Sequence, residues 1–371
     1  MIDDLALILC KGIGCKTAKL LLEHFSNSES IFSYSIGELL EAKVPSSIAT
    51  ILHSQKEQAY EKAKKELEFM DKNQIYPLLY TDSNYPTLLK DCIDAPFMLF
   101  VKGAFDFNIR HPLAIVGTRN ASFYGKEQVD KLIEDLRYDS IYTISGLALG
   151  IDSQAHRSSI KNQIATIAIL GHGLNTVYPN INIHLADEII ENGGCLITEM
   201  PSETPITPGL FPRRNRIIAG LSEGVLVAEA SLKGGALITA HIAASYHRSV
   251  FAIPGKNDLY YSKGCNHLIK SQLAILTENA QDIRIELNWP IPSSKNVLHS
   301  NTNTQHLVEK EALLLNIISK EDPASLEIIY HQMDLKIPEI LSTLLQLELL
   351  GLIRSLPGNR YQVQRSGVKN A

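Results

Sequence analysis

Several short segments of the chain combine glycines with cationic or polar side chains in a way that suits contact with phosphate. The richest is Phe211-Pro212-Arg213-Arg214-Asn215-Arg216, where three arginines fall within four residues. A guanidinium is a planar fork of donors that matches phosphate oxygens, so such a cluster is a natural anion site. If a helix begins near Pro212, Arg213 and Arg216 share a face at i, i+3 and Arg214 points elsewhere. One groove therefore cannot take all three, and one of them is expected to hold the fold. Phe211 offers a face on which a base can stack, and serves equally well as a core aromatic.

The other segments repeat one layout: an apolar run, a glycine turn, then a stretch of helical character. Ala114–Gly125 carries Gly117, Arg119 and Ser122; Ile144–His156 carries Ser145, Gly146 and Gly150; Val227–Ala240 carries Lys233, Gly234 and Gly235. Free N–H groups at such turns, with a helix dipole behind them, favour an anion. The strand-end place of Arg119 points to ligand contact rather than to a surface ion pair. Asp152 and His156, four apart, share a helix face. They suit general-base chemistry or a structural bond, and the absence of a nearby nucleophile in sequence favours the latter. Near the N-terminus, Gly12-Ile13-Gly14 followed by Lys16 and Lys19 resembles a helix-hairpin-helix turn, which either packs or meets a phosphate. No segment matches GxGxxG after a strand, and no GxxxxGK[ST] occurs, so neither a dinucleotide fingerprint nor a P-loop is supported.

The elements that must position these residues can be read from periodicity. Residues 1–75 carry apolar residues at helical spacing and read as a helical domain. From 76 to 285 the chain reads as one α/β core. Its prolines at 77, 86 and 96 separate extended runs, after which LAIVGT, IYTIS, ATIAIL, CLITE, GVLVAEA and SVFAIP alternate with helices. That alternation predicts a doubly wound parallel sheet covered on both faces, with ligands beyond the carboxyl ends of its strands. Residues 286–305 are polar and rich in Ser and Asn, and read as a linker. Residues 306–365 read as helices followed by a hairpin, GLIRSLPGNRYQV, the pattern of a winged helix.

Composition narrows the classes. At 371 residues, with 45% hydrophobic and 20% charged, the chain suits a packed multidomain protein. No apolar run approaches the ~20 residues of a membrane-spanning helix, and the acidic start MIDDLALILCKG is unlike a signal peptide. Five scattered cysteines with no CxxC pair argue against a disulfide framework or a zinc site and for a reducing cytoplasm. The net charge of −5 means that any nucleic-acid surface must be a local patch.

Taken together, GTRNASFYG, SGLALGIDSQAH, AILGHGLNTVYP, FPRRNRIIAGLS, LVAEASLKGGALITA, FAIPG and SKGCNHLI, in this order across about 112–272, resemble the DprA/Smf family. YPTLLKDCIDAPFMLFVKG looks like the family's lead-in to its core. The resemblance implies a Rossmann-like core with an N-terminal helix-hairpin-helix or SAM-like domain and a C-terminal winged helix. It implies a protein that binds single-stranded DNA during natural transformation, shields it and helps load the recombinase RecA. It also implies a homodimer formed through the core, and neither an enzymatic activity nor a cofactor nor a metal. The phosphate-binding positions it implies are Arg119, Ser122, the Ser145-Gly146 turn, Arg213 and Arg214, beside the glycine turns already named. Gly234 stands where many relatives have serine, and Ser271-Gln272 where Gly-Ala is usual.

A nucleotide-binding sensor or a phosphoribohydrolase-like enzyme is the alternative on such a fold. The PGGxGTxxE string of those hydrolases is met only by Lys233–Ala240, without its glutamate. A third possibility is a scaffold that docks partners through the winged helix. That domain carries six cations against eight anions over 306–365, and the segment 337–350 has two acids and no base. It is therefore expected not to be the main DNA surface.

Overall fold

The structure, a computed structural model, describes residues 1–107, 111–290, 309–321, 323–333, 335–350, 352–356 and 358–363. The chain divides into two compact units, residues 1–292 and 293–371.

The first unit opens with five helices, α1 (Ile2–Leu9), α2 (Cys15–His24), α3 (Ser28–Ser33), α4 (Ile36–Glu41) and the long α5 (Ser46–Lys72). Their starts follow local chemistry: Asn27 caps α3, and Ser35 with Glu38 forms a reciprocal capping box on α4. Leu5, Leu7, Ile31, Leu39 and Leu52 meet in a core that continues into Ile75, Met98 and Phe100 of the sheet. The buried Glu66 of α5 accepts from the N–H and Oγ of Ser202 (2.9 and 2.6 Å). The helical segment and the sheet are thus parts of one unit.

The sheet has nine strands: β1 (Ile75–Leu79), β2 (Met98–Lys102), β3 (Pro112–Val116), β4 (Tyr142–Ser145), β5 (Thr166–Ile169), β6 (Cys195–Thr198), β7 (Gly224–Val227), β8 (Ser249–Ala252) and β9 (Ile275–Leu276). Their spatial order is β1-β2-β6-β5-β4-β3-β7-β8-β9. From β6 to β9 every pairing is parallel, while β2 meets both β1 and β6 antiparallel. Strands buried on both faces read as near-continuous apolar runs, and β3 and β7 are buried at every position.

Between the strands run α6 (Thr87–Lys90), α7 (Phe123–Leu136), α8 (Ile151–Lys161), α9 (Ile183–Glu191), α10 (Leu210–Gly220), α11 (Gly235–Ser245) and α12 (Lys263–Lys270), and α13 (Ala280–Glu286) follows β9. After β3 the chain winds toward β6, then returns to start β7 on the other side of β3. The pair β3–β7 is therefore the switch point of the sheet, where an open α/β fold forms a crevice.

The first unit continues past the expected boundary at 285. Trp289 is buried and its indole N–H donates to Glu223 (2.6 Å). Most of the expected linker lies outside the described residues. The second unit has its own core of Leu314, Ile318, Ile329, Ile340, Leu344, Leu347 and Ile353. Its order is α14 (Glu309–Lys320), β10 (Ala324–Ser325), α15 (Leu326–Gln332), α16 (Ile337–Leu349), β11 (Ile353–Leu356) and β12 (Arg360–Val363), a winged helix.

Candidate nucleic-acid interface

The loops at the carboxyl ends of β3 and β7 border a cleft of about 560 Å³, entered by Gly117, Thr118, Arg119 and Asn120 from one side and by Ser231, Gly234 and Gly235 from the other. Arg214 forms part of its wall and is 6% exposed. This guanidinium donates to the carbonyl of Ile169, and its Nε has no hydrogen-bond partner among the described residues. Burial pushes its pKa down to about 10, against the pull of Asp152, so it stays cationic at neutral pH. A cation in the wall of a cleft makes that wall electropositive, which favours an anion. The exposed Arg119 adds a second cation, with its guanidinium 5.7 Å from the centre of the Phe211 ring. The N-terminus of α11 opens on the same cleft with no side-chain cap at Gly234. It supplies the positive end of a helix dipole.

The three neighbouring arginines have three different tasks, because successive residues of α10 point about 100° apart. Arg216 is buried, donates to Glu199 and to the carbonyl of Asp94, and so holds the fold. Arg213 shares the carboxylate of Glu199 at 3.2 Å and lies outside the cleft. It borders a separate cavity with Lys11–Cys15, the turn that resembles a helix-hairpin-helix. That turn is stapled to α5, since Gln55 bonds both the N–H and the carbonyl of Lys11 (2.8 and 3.1 Å), and Ile13 is buried.

Two expected phosphate ligands have other partners. Ser145 is fully buried and its hydroxyl donates to the carbonyl of Ile115 (2.6 Å). Ser122 caps α7 by accepting from the Gly125 N–H (3.1 Å), while its own N–H and hydroxyl donate to Glu229 (2.8 and 2.6 Å). The backbone of Gly146 and Ala148 favours the charged form of the buried Asp152 carboxylate. Gly146 has a different use: a Cβ there would overlap the Arg214 guanidinium, so the missing side chain makes room for the arginine. Gly150 has φ +80°, and a Cβ would run into the backbone of Thr118 and Arg119, which locks the second glycine turn against the first. Lys233 is exposed at the turn before α11, just outside the cleft lining.

Asp152 and His156 do not pair. Asp152 lies on the cleft wall, its pKa raised by burial and held back by Arg214. The imidazole of His156 is fully buried, bonds through Nδ1 to Thr166 Oγ1 (2.7 Å) and is pushed down to about 3 by desolvation. No acid–base couple is assembled here. Among the described residues no group of three or more His, Cys, Asp or Glu is placed to hold a metal ion, and all five cysteines are free.

Sequence reasoning missed the rim. Tyr178, Tyr260 and Tyr261 line the cleft beside Phe211. It also missed Glu229, which orders the Arg119 loop from beneath. A glutamate inside the otherwise apolar run GVLVAEA was the available signal.

The family model for DNA recombination-mediator protein A matches residues 77–288, more than half of the chain, and the DprA winged-helix model matches residues 299–359. The chain belongs to the DprA/Smf family. Within that family it is 36% identical over 293 residues to Protein Smf of Escherichia coli K12, spanning 78% of each chain. It is 41% identical over 208 residues to the DNA processing protein DprA of Streptococcus pneumoniae R6, spanning 56% of this chain and 73% of the relative. The X-ray structure of DprA from Streptococcus pneumoniae superposes with a TM-score of 0.57 at 32% identity, over 75% of this chain and 99% of that one. DNA processing protein A from Helicobacter pylori, described for its single-stranded DNA binding mode, superposes with a TM-score of 0.53 at 27% identity. It covers 58% of this chain and 98% of that one. DprA/Smf membership accounts for both the doubly wound core and the winged helix. Where the family pattern departs at Gln272, the turn after α12 still closes, with φ +58° and an N–H bond to Ile269 (3.0 Å).

Proposed function

We propose that this protein binds single-stranded DNA in the switch-point cleft, shields it and passes it to RecA during natural transformation. The observation that carries the reading is the cationic Arg214 in the wall of a cleft that also receives Arg119 and the uncapped start of α11. Phosphates are the anions that three such donors fit together. None of these groups reads a base edge, so the binding is independent of sequence. The single-strand binding described for the Helicobacter pylori relative and the DNA-processing role of the relatives' names support the same conclusion. The separation of Asp152 from His156 supports a binding protein rather than an enzyme. In this reading the protein works in the cytoplasm as a homodimer formed through its core. Among the described residues no helix is long and apolar enough to cross a membrane.

The test is Arg119→Ala. The side chain is exposed, so the melting temperature should stay within a degree or two of the parent. Affinity for oligo-dT should fall, and the slope of log K against log salt should flatten by about one unit as one phosphate contact is lost. An unchanged affinity would remove Arg119 from the interface. A nucleotide-sized small molecule is the second reading, favoured by the volume of the cleft. A free mononucleotide that competes with oligo-dT at micromolar concentration would support it.

A further inference from the structure

The cleft has aromatic groups on both flanks, and the two flanks are built differently. Tyr178 follows β5 and Tyr260 follows β8, so they stand on opposite sides of the β3–β7 switch point. On the β5 side Tyr178 packs against Phe211 with ring centres 5.7 Å apart and Arg119 above. On the β8 side Tyr260 is 64% exposed, which leaves a large aromatic residue in water. Among the described residues no hydrogen bond holds its hydroxyl.

The backbone beneath that ring is fixed. Tyr261 accepts the N–H of Ala230 through its carbonyl (2.7 Å) and the amide of Asn120 through its hydroxyl (2.8 Å), so it is tied to both loops of the cleft. Its ring meets Tyr260 edge-on, 5.0 Å between centres at 82°. Across the base of this loop, Asn266 clasps Gly255 from both sides, accepting its N–H (3.1 Å) and donating to its carbonyl (2.8 Å). A tyrosine braced by a neighbouring ring and still mostly exposed loses little entropy when something flat settles on it.

We propose that Tyr260, braced by Tyr261, is a base-stacking platform that holds a nucleotide on the β8 flank of the cleft. The proposal rests on the single-strand reading above. Phosphates occupy the floor between Arg119, Arg214 and the start of α11, and a base turned toward β8 lies on the exposed ring of Tyr260. Every base has a π-face, so the contact adds affinity without choosing a sequence.

The experiment compares oligo-dT with an oligomer of the same length built from abasic residues, which keeps the phosphates and lacks the bases. In the full-length chain Tyr260→Ala should weaken oligo-dT binding by at least about five-fold, the lower end for loss of one stacked base. The abasic oligomer should bind this variant as it binds the parent, and the salt slope for oligo-dT should not change. Tyr260→Trp should keep the affinity and report the bound base by quenching of its fluorescence. Two results would overturn the platform: oligo-dT affinity unchanged in Tyr260→Ala, or equal losses for both oligomers. A parent chain that binds neither oligomer would instead defeat the single-strand reading, and this proposal with it.

Discussion

At the scale of single residues, the decisive feature is how much of the conspicuous polarity is spent inside the protein. Ser122, Ser145 and Arg216 stand in strings that advertise phosphate contact, yet each has an internal partner. That Arg213 and Arg216 would share a face was legible from helical spacing, and they do share Glu199. Which face looks into the cleft was not legible, because it depends on how α10 docks on the sheet. His156 makes a prediction of its own. Its imidazole titrates near ~6.5 in an unfolded chain and is held at about 3 here by burial. The folded form therefore resists protonation. The stability it contributes is complete above pH ~6.5 and is lost as pH falls from there toward 3. At about pH 5 the loss should be roughly 2 kcal/mol. Urea unfolding of the parent and of His156→Gln at neutral pH and at about pH 5 checks this: the drop between the two should be smaller in the variant by about that amount. Equal drops would show that His156 is not the titrating group.

At the scale of elements, six strands of the core follow the six apolar runs in the sequence, because strands buried on both faces leave continuous hydrophobic text. The short edge strand β9 left no such signal: only Ile275 and Leu276 pair, and both are exposed. The rim tyrosines were hidden for another reason. Tyr260 and Tyr261 lie in a loop after β8, far in sequence from Arg119, and only the parallel order of β3, β7 and β8 brings them to one cleft. The loop that carries Arg119 depends on Glu229 below it, which also explains Gly125: a Cβ there would overlap the Glu229 carboxylate. Gly125→Ala should therefore cost about 1–3 kcal/mol of stability, the range for forcing atoms into a packed site. It should also weaken DNA binding with Arg119 still present. Chemical denaturation beside an oligo-dT titration checks both, and a stable variant with full affinity would show that the loop is ordered by something else.

At the scale of the whole molecule, the two units divide the work unequally. The cleft lies wholly in residues 1–292. In the winged helix, α16 exposes Ile337, Leu341, Leu345 and Leu349 and carries Glu339 and Glu348 as its acids. A helix of that kind repels duplex phosphates. A chain ending near residue 300 should thus keep its single-strand affinity within a few-fold, whereas a hundredfold loss in a folded truncation would move the binding to the winged helix. Whether a local cationic cleft on a mildly acidic protein takes a single strand through its phosphates can be settled by one titration. Oligo-dT and a duplex of matched length are titrated against the full chain across a salt series. The single strand should bind more tightly at every salt concentration, with affinity falling steadily as salt rises because counterions are released. Preference for the duplex, or binding that ignores salt, would contradict it.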